Sequence, residues 1–206
     1  MKYKNLIVSQ KGLSLIESAM VLAISAVIVS GVLYYYNQAQ ENRKLEEGIK
    51  QVQTIAASVN KLYTNSATSL KGISGNDNTN KVVEAISAIS GISTTTEPGG
   101  AKVFTTPSGQ WVQLWVNNSD AVNNTYSLEM QVTSVSSCIS YATLNMGTIM
   151  AGKTRVFVGG NDYSGNNNSG NSTNFSLSPS DASNVCERAG KNKNGNNIKI
   201  RYTLSY

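Results

Sequence analysis

The sequence predicts an α+β protein in which a long N-terminal helix precedes an antiparallel β-sheet head with short helices. Two observations carry this prediction. An apolar run over residues 13–36 continues into a stripe of apolar residues at helical spacing. Later segments, among them Tyr126 to Val135 and Ile198 to Leu204, alternate apolar and polar residues as half-buried strands do.

Composition excludes several classes of function. The chain has 206 residues, of which 14% are charged, and a net charge of +5. It contains no histidine, which rules out His-dependent triads and His-ligated metals, and its two cysteines cannot form a Cys-only zinc site. No phosphate-binding loop or dinucleotide fingerprint occurs. The sequence therefore predicts no catalytic site, no metal site and no cofactor.

The N-terminus predicts a segment that can span a membrane. Lys2, Lys4 and Lys11 lie in the first twelve residues without an acid, and no charged residue lies between Glu17 and Glu41. As a helix, the uncharged run between these two glutamates would extend about 34 Å, enough to cross a bilayer core of roughly 30 Å. The basic flank predicts a cytoplasmic end. A secretory signal peptide or a plain signal anchor would leave unexplained the carboxylate of Glu17, which is costly in an apolar segment.

The stretch from Lys11 to Ser18, KGLSLIES, resembles the processing motif of type IV prepilins. The resemblance implies a dedicated prepilin peptidase that cuts after Gly12 and methylates the new terminal residue, Leu13. It also implies that Glu17 meets the N-terminal amine of a neighbouring subunit during assembly. That amine would supply the cation which a lone carboxylate in an apolar helix needs.

Two patches resemble the bundlins, within the type IVb subclass. They are GLSLIESAMVLAISA, with Leu13 rather than Phe at the new terminus, and CISYATLNMG, which begins at Cys138. The resemblance implies a type IV pilin fold and a disulfide between Cys138 and Cys186 that frames the C-terminal region of the head. The residues alone also allow free thiols or a redox pair, although the spacing has no Cys-x-x-Cys character. Unlike many pilins, this chain has no proline before Pro98.

The remaining elements follow from local patterns. Past the apolar run, Leu45, Ile49, Val52, Ala56 and Val59 continue a helical stripe to about residue 65. Ser178-Pro179 is typical of a helix start, which would place Cys186 on a helix. The other predicted segments are a loop at 66–75, a helix at 81–90, turns at 93–102, strands at 111–116, 126–135, 155–158 and 198–204, a helix at 136–146 and a polar loop at 159–174.

These patterns predict a long helix, residues 13–65, and a head, residues 66–206, and the prepilin resemblance implies that residues 1–12 are a cleaved leader. Residues 13–40 are the expected transmembrane and filament-core part of the helix, and residues 41–65 its amphipathic part. The type IVb resemblance implies a major pilin that waits in the bacterial inner membrane and then forms an extracellular pilus for adherence and aggregation. The alternatives are a minor pilin, a tip adhesin or DNA-uptake subunit, a secretion-system pseudopilin, and an anchored protein that never polymerises.

The expected partners are further copies of the chain, the prepilin peptidase, the pilus assembly machinery and the inner membrane, with host-cell or bacterial surfaces as targets. Nucleic acid is not expected. Removing residues 1–12 takes away three lysines and lowers the side-chain charge to +2. Lys191, Lys193, Lys199 and Arg201 form a basic cluster in the sequence, but no aromatic–basic stacking pattern accompanies it.

Overall fold

A computed structural model describes residues 14–64, 69–70, 72–116, 124–164 and 175–206. The chain divides into two compact units, Met1–Arg43 and Lys44–Tyr206. The described helices are α1 (Leu15–Tyr63), α2 (Asn76–Ser90), α3 (Val135–Ala142) and α4 (Pro179–Lys191), with a short 3₁₀ turn at Gly147–Ile149. The described strands are β1 (Thr94–Thr96), β2 (Lys102–Thr105), β3 (Trp111–Val116), β4 (Thr125–Val132), β5 (Met150–Val158), β6 (Asn161–Asp162) and β7 (Ile198–Ser205).

The strands form one sheet in the order β1-β2-β3-β4-β7-β5-β6, and every neighbouring pair is antiparallel. Strand β7 therefore inserts between β4 and β5. It pairs with β4 along eight residues, from Thr125 opposite Ser205 to Val132 opposite Ile198. One long helix with an antiparallel sheet and short helices confirms the predicted α+β class.

Alternation along the central strands decides which face of the sheet meets the helices. In β4 and β7 the even-numbered residues are almost fully buried, and the Tyr126 hydroxyl donates to the Ala56 carbonyl of α1 at 3.4 Å. Val52, Ile55, Ala56 and Val59 of α1 are fully buried against this core. The hydrophobic core of the head thus lies between one face of the sheet and the stripe that the sequence predicts on α1.

The boundaries of several elements differ from the predicted ones. Strand β4 ends at Val132 rather than Val135, because Ser134 caps α3 by accepting from the Ser137 N–H at 3.1 Å. Helix α3 accordingly occupies 135–142 rather than 136–146. Helix α2 begins at Asn76 rather than Lys81, since its polar first turn packs on the 99–102 segment through Asn76 and Asn80.

The predictions for three segments were incomplete: the turns at 93–102, the strand at 155–158 and the loop at 159–174. The segment predicted as turns, 93–102, contains the short strand β1, and the next strand, β2, was missed altogether. Strand β5 begins at Met150 rather than Arg155, because two register shifts between Met150 and Arg155 break the alternation that marks a strand. The segment predicted as a loop, 159–174, contains the short strand β6. Its residues 165–174 lie outside the described part of the chain.

Gly48 makes room for a close contact between α1 and α3. The Tyr141 hydroxyl donates to the Leu45 carbonyl at 3.3 Å, and a Cβ built on Gly48 would collide with that hydroxyl.

We expect Gly48→Ala to destabilise the head by roughly 1–3 kcal/mol, because the phenol must move and lose its acceptor. Thermal unfolding of the full chain in detergent measures this. Gly31→Ala is the matched control, since nothing lies within 4 Å of its Cβ; equal unfolding temperatures for both variants would contradict the expectation.

Three buried phenols predict a loss of stability in alkali. Burial raises the pKa of Tyr141 to about 12 and also raises the pKa values of Tyr126 and Tyr202. Above pH ~10 the unfolded chain releases these protons while the folded head keeps them, so the free energy of unfolding falls as pH rises. The expected slope is about 4 kcal/mol per pH unit for three phenols, in the window between pH ~10 and the folded pKa values.

Denaturant unfolding of the full chain at pH 9, 10 and 11 measures that slope. Tyr141→Phe should make it shallower by about one third, because one of the three phenols is removed. The same slope in wild type and Tyr141→Phe would count against the explanation.

Candidate assembly site

The first half of α1 presents apolar side chains to its surroundings. Its large hydrophobic residues from Leu15 to Tyr36 are between 55% and 88% exposed. The most apolar 18-residue window of α1 has a mean hydropathy of 2.2 and no buried residue, and by length and composition this helix can cross a membrane. An apolar surface of this size requires cover by lipid or by other protein.

Serine hydroxyls along this segment find their acceptors within the helix. The hydroxyls of Ser25 and Ser30 donate to the carbonyls four residues earlier, Val21 and Ala26, each at 2.7 Å. Ser18 does the same at 3.3 Å. Because these groups are already paired, the segment can enter an apolar environment without leaving these three hydroxyl donors unsatisfied.

Glu17 lies in the first turn of α1. Its side chain reaches back to accept from the backbone N–H of Ser14 at 2.8 Å. This is half of the capping-box arrangement that Ser-x-x-Glu produces at a helix start. The negative charge also lies at the positive end of the helix dipole. Glu17 is exposed, so its second oxygen is accessible to a cation on another molecule. Gly12 and Leu13 lie outside the described residues.

In the head, a disulfide joins the two cysteines, as the sequence analysis expects. Cys138 lies on α3 and Cys186 on α4, with their Cα atoms 5.8 Å apart, and both are fully buried. The bond closes a loop between residues 48 positions apart, which the chain-entropy model equates with roughly 4 kcal/mol. Gly190 lets the two helices approach closely, because a Cβ there would lie 2.6 Å from a Val135 methyl group.

The residues that flank the 165–174 segment are held to the head. Before it, Asp162 accepts from the N–H and hydroxyl of Ser164 and from Arg155. Burial alone would raise the pKa of Asp162, but these hydrogen bonds lower it. After it, the Phe175 carbonyl accepts from the Thr154 N–H at 2.8 Å. These hydrogen bonds hold the described flanks, Asp162–Ser164 and Phe175, to the head.

Glu129 is buried on the face of the sheet that points away from the core. It is only 2% exposed, and its two oxygens pair with Lys199 at 3.1 Å and with the Arg201 Nε at 2.9 Å. Removing either cation would leave a buried carboxylate partly uncompensated, which is strongly destabilising. This ion pair therefore fixes the two basic side chains across the sheet.

The same two cations lie over aromatic rings. Lys199 lies 5.0 Å from the centre of the Trp111 ring, and Arg201 lies 5.4 Å from Trp115 and 4.8 Å from Phe157. We call the set the aromatic–cation face; its members are Trp111, Trp115, Arg155, Phe157, Lys199 and Arg201. Aromatic rings therefore accompany Lys199 and Arg201, contrary to the sequence-based expectation. The sequence does not reveal them because the rings come from strands β3 and β5, which are distant from β7 along the chain.

The described residues contain no group of three or more acidic or cysteine side chains placed to hold a metal ion. What the molecule offers instead is an exposed apolar helix with one carboxylate at its start, and a disulfide-bonded head.

Comparison with known proteins agrees with this chemistry. Residues 37–205 match the bundlin family. The chain is 33% identical to the major structural subunit of the bundle-forming pilus from Escherichia coli O127:H6, over 95% of this chain and 94% of that one. The same figures hold for the corresponding subunit of Escherichia coli O111:H-. A crystal structure of a type IVb pilin from Salmonella typhi aligns with a TM-score of 0.48 at 17% identity, over 77% of this chain and 98% of that one.

The family match covers more than half of the chain, and the identity extends over nearly the full length of two relatives. The chain therefore belongs to the bundlin family.

Proposed function

We propose that this chain is the major structural subunit of a type IVb pilus, made as a membrane-anchored precursor and polymerised outside the cell. The observation that carries the proposal is the exposed apolar half of α1 with Glu17 in its first turn, in a chain of the bundlin family. The relatives bear the name of major structural subunit of the bundle-forming pilus, and the family relation brings that role to this chain.

The precursor waits in the bacterial inner membrane with residues 13–40 inserted and residues 1–12 on the cytoplasmic side. A prepilin peptidase cuts after Gly12 and methylates Leu13. The new amine is a cation at the depth of Glu17 of an incoming subunit. Their pairing sets the axial position of that subunit, since each unpaired charge in an apolar environment is costly.

The apolar segments then pack in the filament centre, where protein replaces lipid as their surroundings. Residues 66–206 form the head outside that centre, held by the Cys138–Cys186 disulfide. The assembly machinery extracts each subunit from the membrane, and the finished pilus serves adherence to host cells or to other bacteria.

Intact-mass spectrometry of material sheared from cells that express the chain tests this proposal. We expect a dominant species that begins at methylated Leu13 and contains oxidised Cys138 and Cys186. Uncleaved protein confined to the membrane, in cells with a working prepilin peptidase, would reduce the proposal to a signal anchor. Processed but scarce protein would move it to a minor or tip subunit.

Glu17→Ala should leave membrane insertion and cleavage intact and reduce the yield of sheared filaments. The loss of one charge-assisted pair, of roughly 1.5–3 kcal/mol, corresponds to a fall of about tenfold or more. Quantitative blots of sheared and membrane fractions measure it. Glu41→Ala is the matched control, because Glu41 is also exposed on α1 but lies beyond the apolar run. Wild-type filament yield from Glu17→Ala would sink the pairing with the amine.

A further inference from the structure

The aromatic–cation face lies on the side of the sheet opposite the core. Tyr126 reaches α1 from one face of β4, so Ser127 and Glu129 point to the other. Across that other face Trp115 is 42% exposed, and the side chains of Lys199 and Arg201 are 39% and 32% exposed. A solvated sheet face normally carries polar residues, whereas this one presents three aromatic rings. Tryptophan and arginine are the residues that dominate protein–protein contacts.

We propose that the aromatic–cation face is the surface through which the chain contacts a second copy of itself in a neighbouring filament. This inference rests on the proposed function, because it requires that the chain form filaments. It adds to that function a specific surface for the lateral association of filaments.

The charges on the face favour a second copy over a polyanion. Arg155 pairs with Asp162, and Lys199 and Arg201 share the carboxylate of Glu129. Three cations and two carboxylates leave a net charge of only +1, which attracts nucleic acid or another polyanion weakly.

The face is also complementary to itself. Each copy contributes aromatic rings and cations together, so an arginine or lysine of one copy can stack on a ring of the other. A contact between identical surfaces related by a two-fold axis requires this kind of self-complementarity. Trp115 keeps a large exposed area for that contact, although Arg201 already lies over its ring.

The position of α1 favours contacts between filaments. In the head, α1 residues such as Ile55 and Val59 pack against the opposite face of the sheet. The aromatic–cation face therefore lies on the side of the head away from these α1 residues, and a head that turns them towards the filament axis presents the face outward. Each filament would repeat the face along its length, so that a weak contact per copy becomes strong through multivalency.

The test compares the lateral association of filaments sheared from cells that express wild type, Trp115→Gln, Trp115→Phe and Ile89→Gln. Ile89 is the matched control, since it is 44% exposed on α2. Equal amounts of filament are sedimented at low speed, and bundle widths are measured by electron microscopy. Intact disulfide and wild-type thermal unfolding establish that each variant is folded.

We expect Trp115→Gln to leave filament yield unchanged and to lower the bundled share by about fivefold or more, since the loss recurs at every copy. Trp115→Phe should retain most of the bundling because it keeps an aromatic ring, and Ile89→Gln should retain all of it. Wild-type bundling by Trp115→Gln overturns the inference, as does an equal loss in Ile89→Gln.

Loss of filaments themselves in a folded Trp115→Gln variant also overturns the inference, because the face would then act within the filament. Wild-type filaments that never associate laterally overturn the inference and leave the proposed function standing. Absence of wild-type filaments removes the proposed function, and the lateral contact with it.

Discussion

The exposed apolar surface of residues 15–36 is the constraint on which the rest of the molecule depends. At about 25 cal/mol per Å² of apolar surface, a helix with so many side chains more than half exposed carries a large penalty in water. The segment is stable only when lipid or other helices cover it. The core of the unit Lys44–Tyr206 does not draw on this segment, because the buried residues described on α1 begin at Gly48 and end at Val59.

Three sets of contacts hold the head together. Val52, Ile55 and Val59 fill one face of the sheet, the disulfide locks α3 to α4, and an ion pair around Glu129 organises the other face. The two faces differ in chemistry: one is a closed hydrophobic core, and the other is a half-exposed array of rings and cations.

The strong local signals in the sequence were sufficient for the long helix, for β3 and β7, and for the start of α4, where Ser178 caps the helix and Pro179 opens it. The weaker elements were lost for physical reasons. Strands β1 and β2 are short and packed at the edge of the sheet, α2 begins with a turn of polar residues, and the bulges in β5 disrupt its period.

The functional residues also fall into those that the sequence predicts and those that it does not. Glu17 and the cysteines could be found from sequence, because a charge in an apolar run and a pair of cysteines stand out locally. The aromatic–cation face could not, since Trp111 and Trp115 meet Lys199 and Arg201 only after β7 inserts beside β4. Non-local strand order, rather than any local pattern, creates that surface.

The inward hydrogen bonds of Ser18, Ser25 and Ser30 bear on how a filament would respond to force. Each of these hydroxyls donates its one proton inside its own helix, so it has no proton left to donate to a neighbouring helix. Fewer directional hydrogen bonds from serine would then join one helix to the next in a filament centre. A filament with such a centre would therefore be mechanically compliant, and its length and twist could change under tension while each head remained folded.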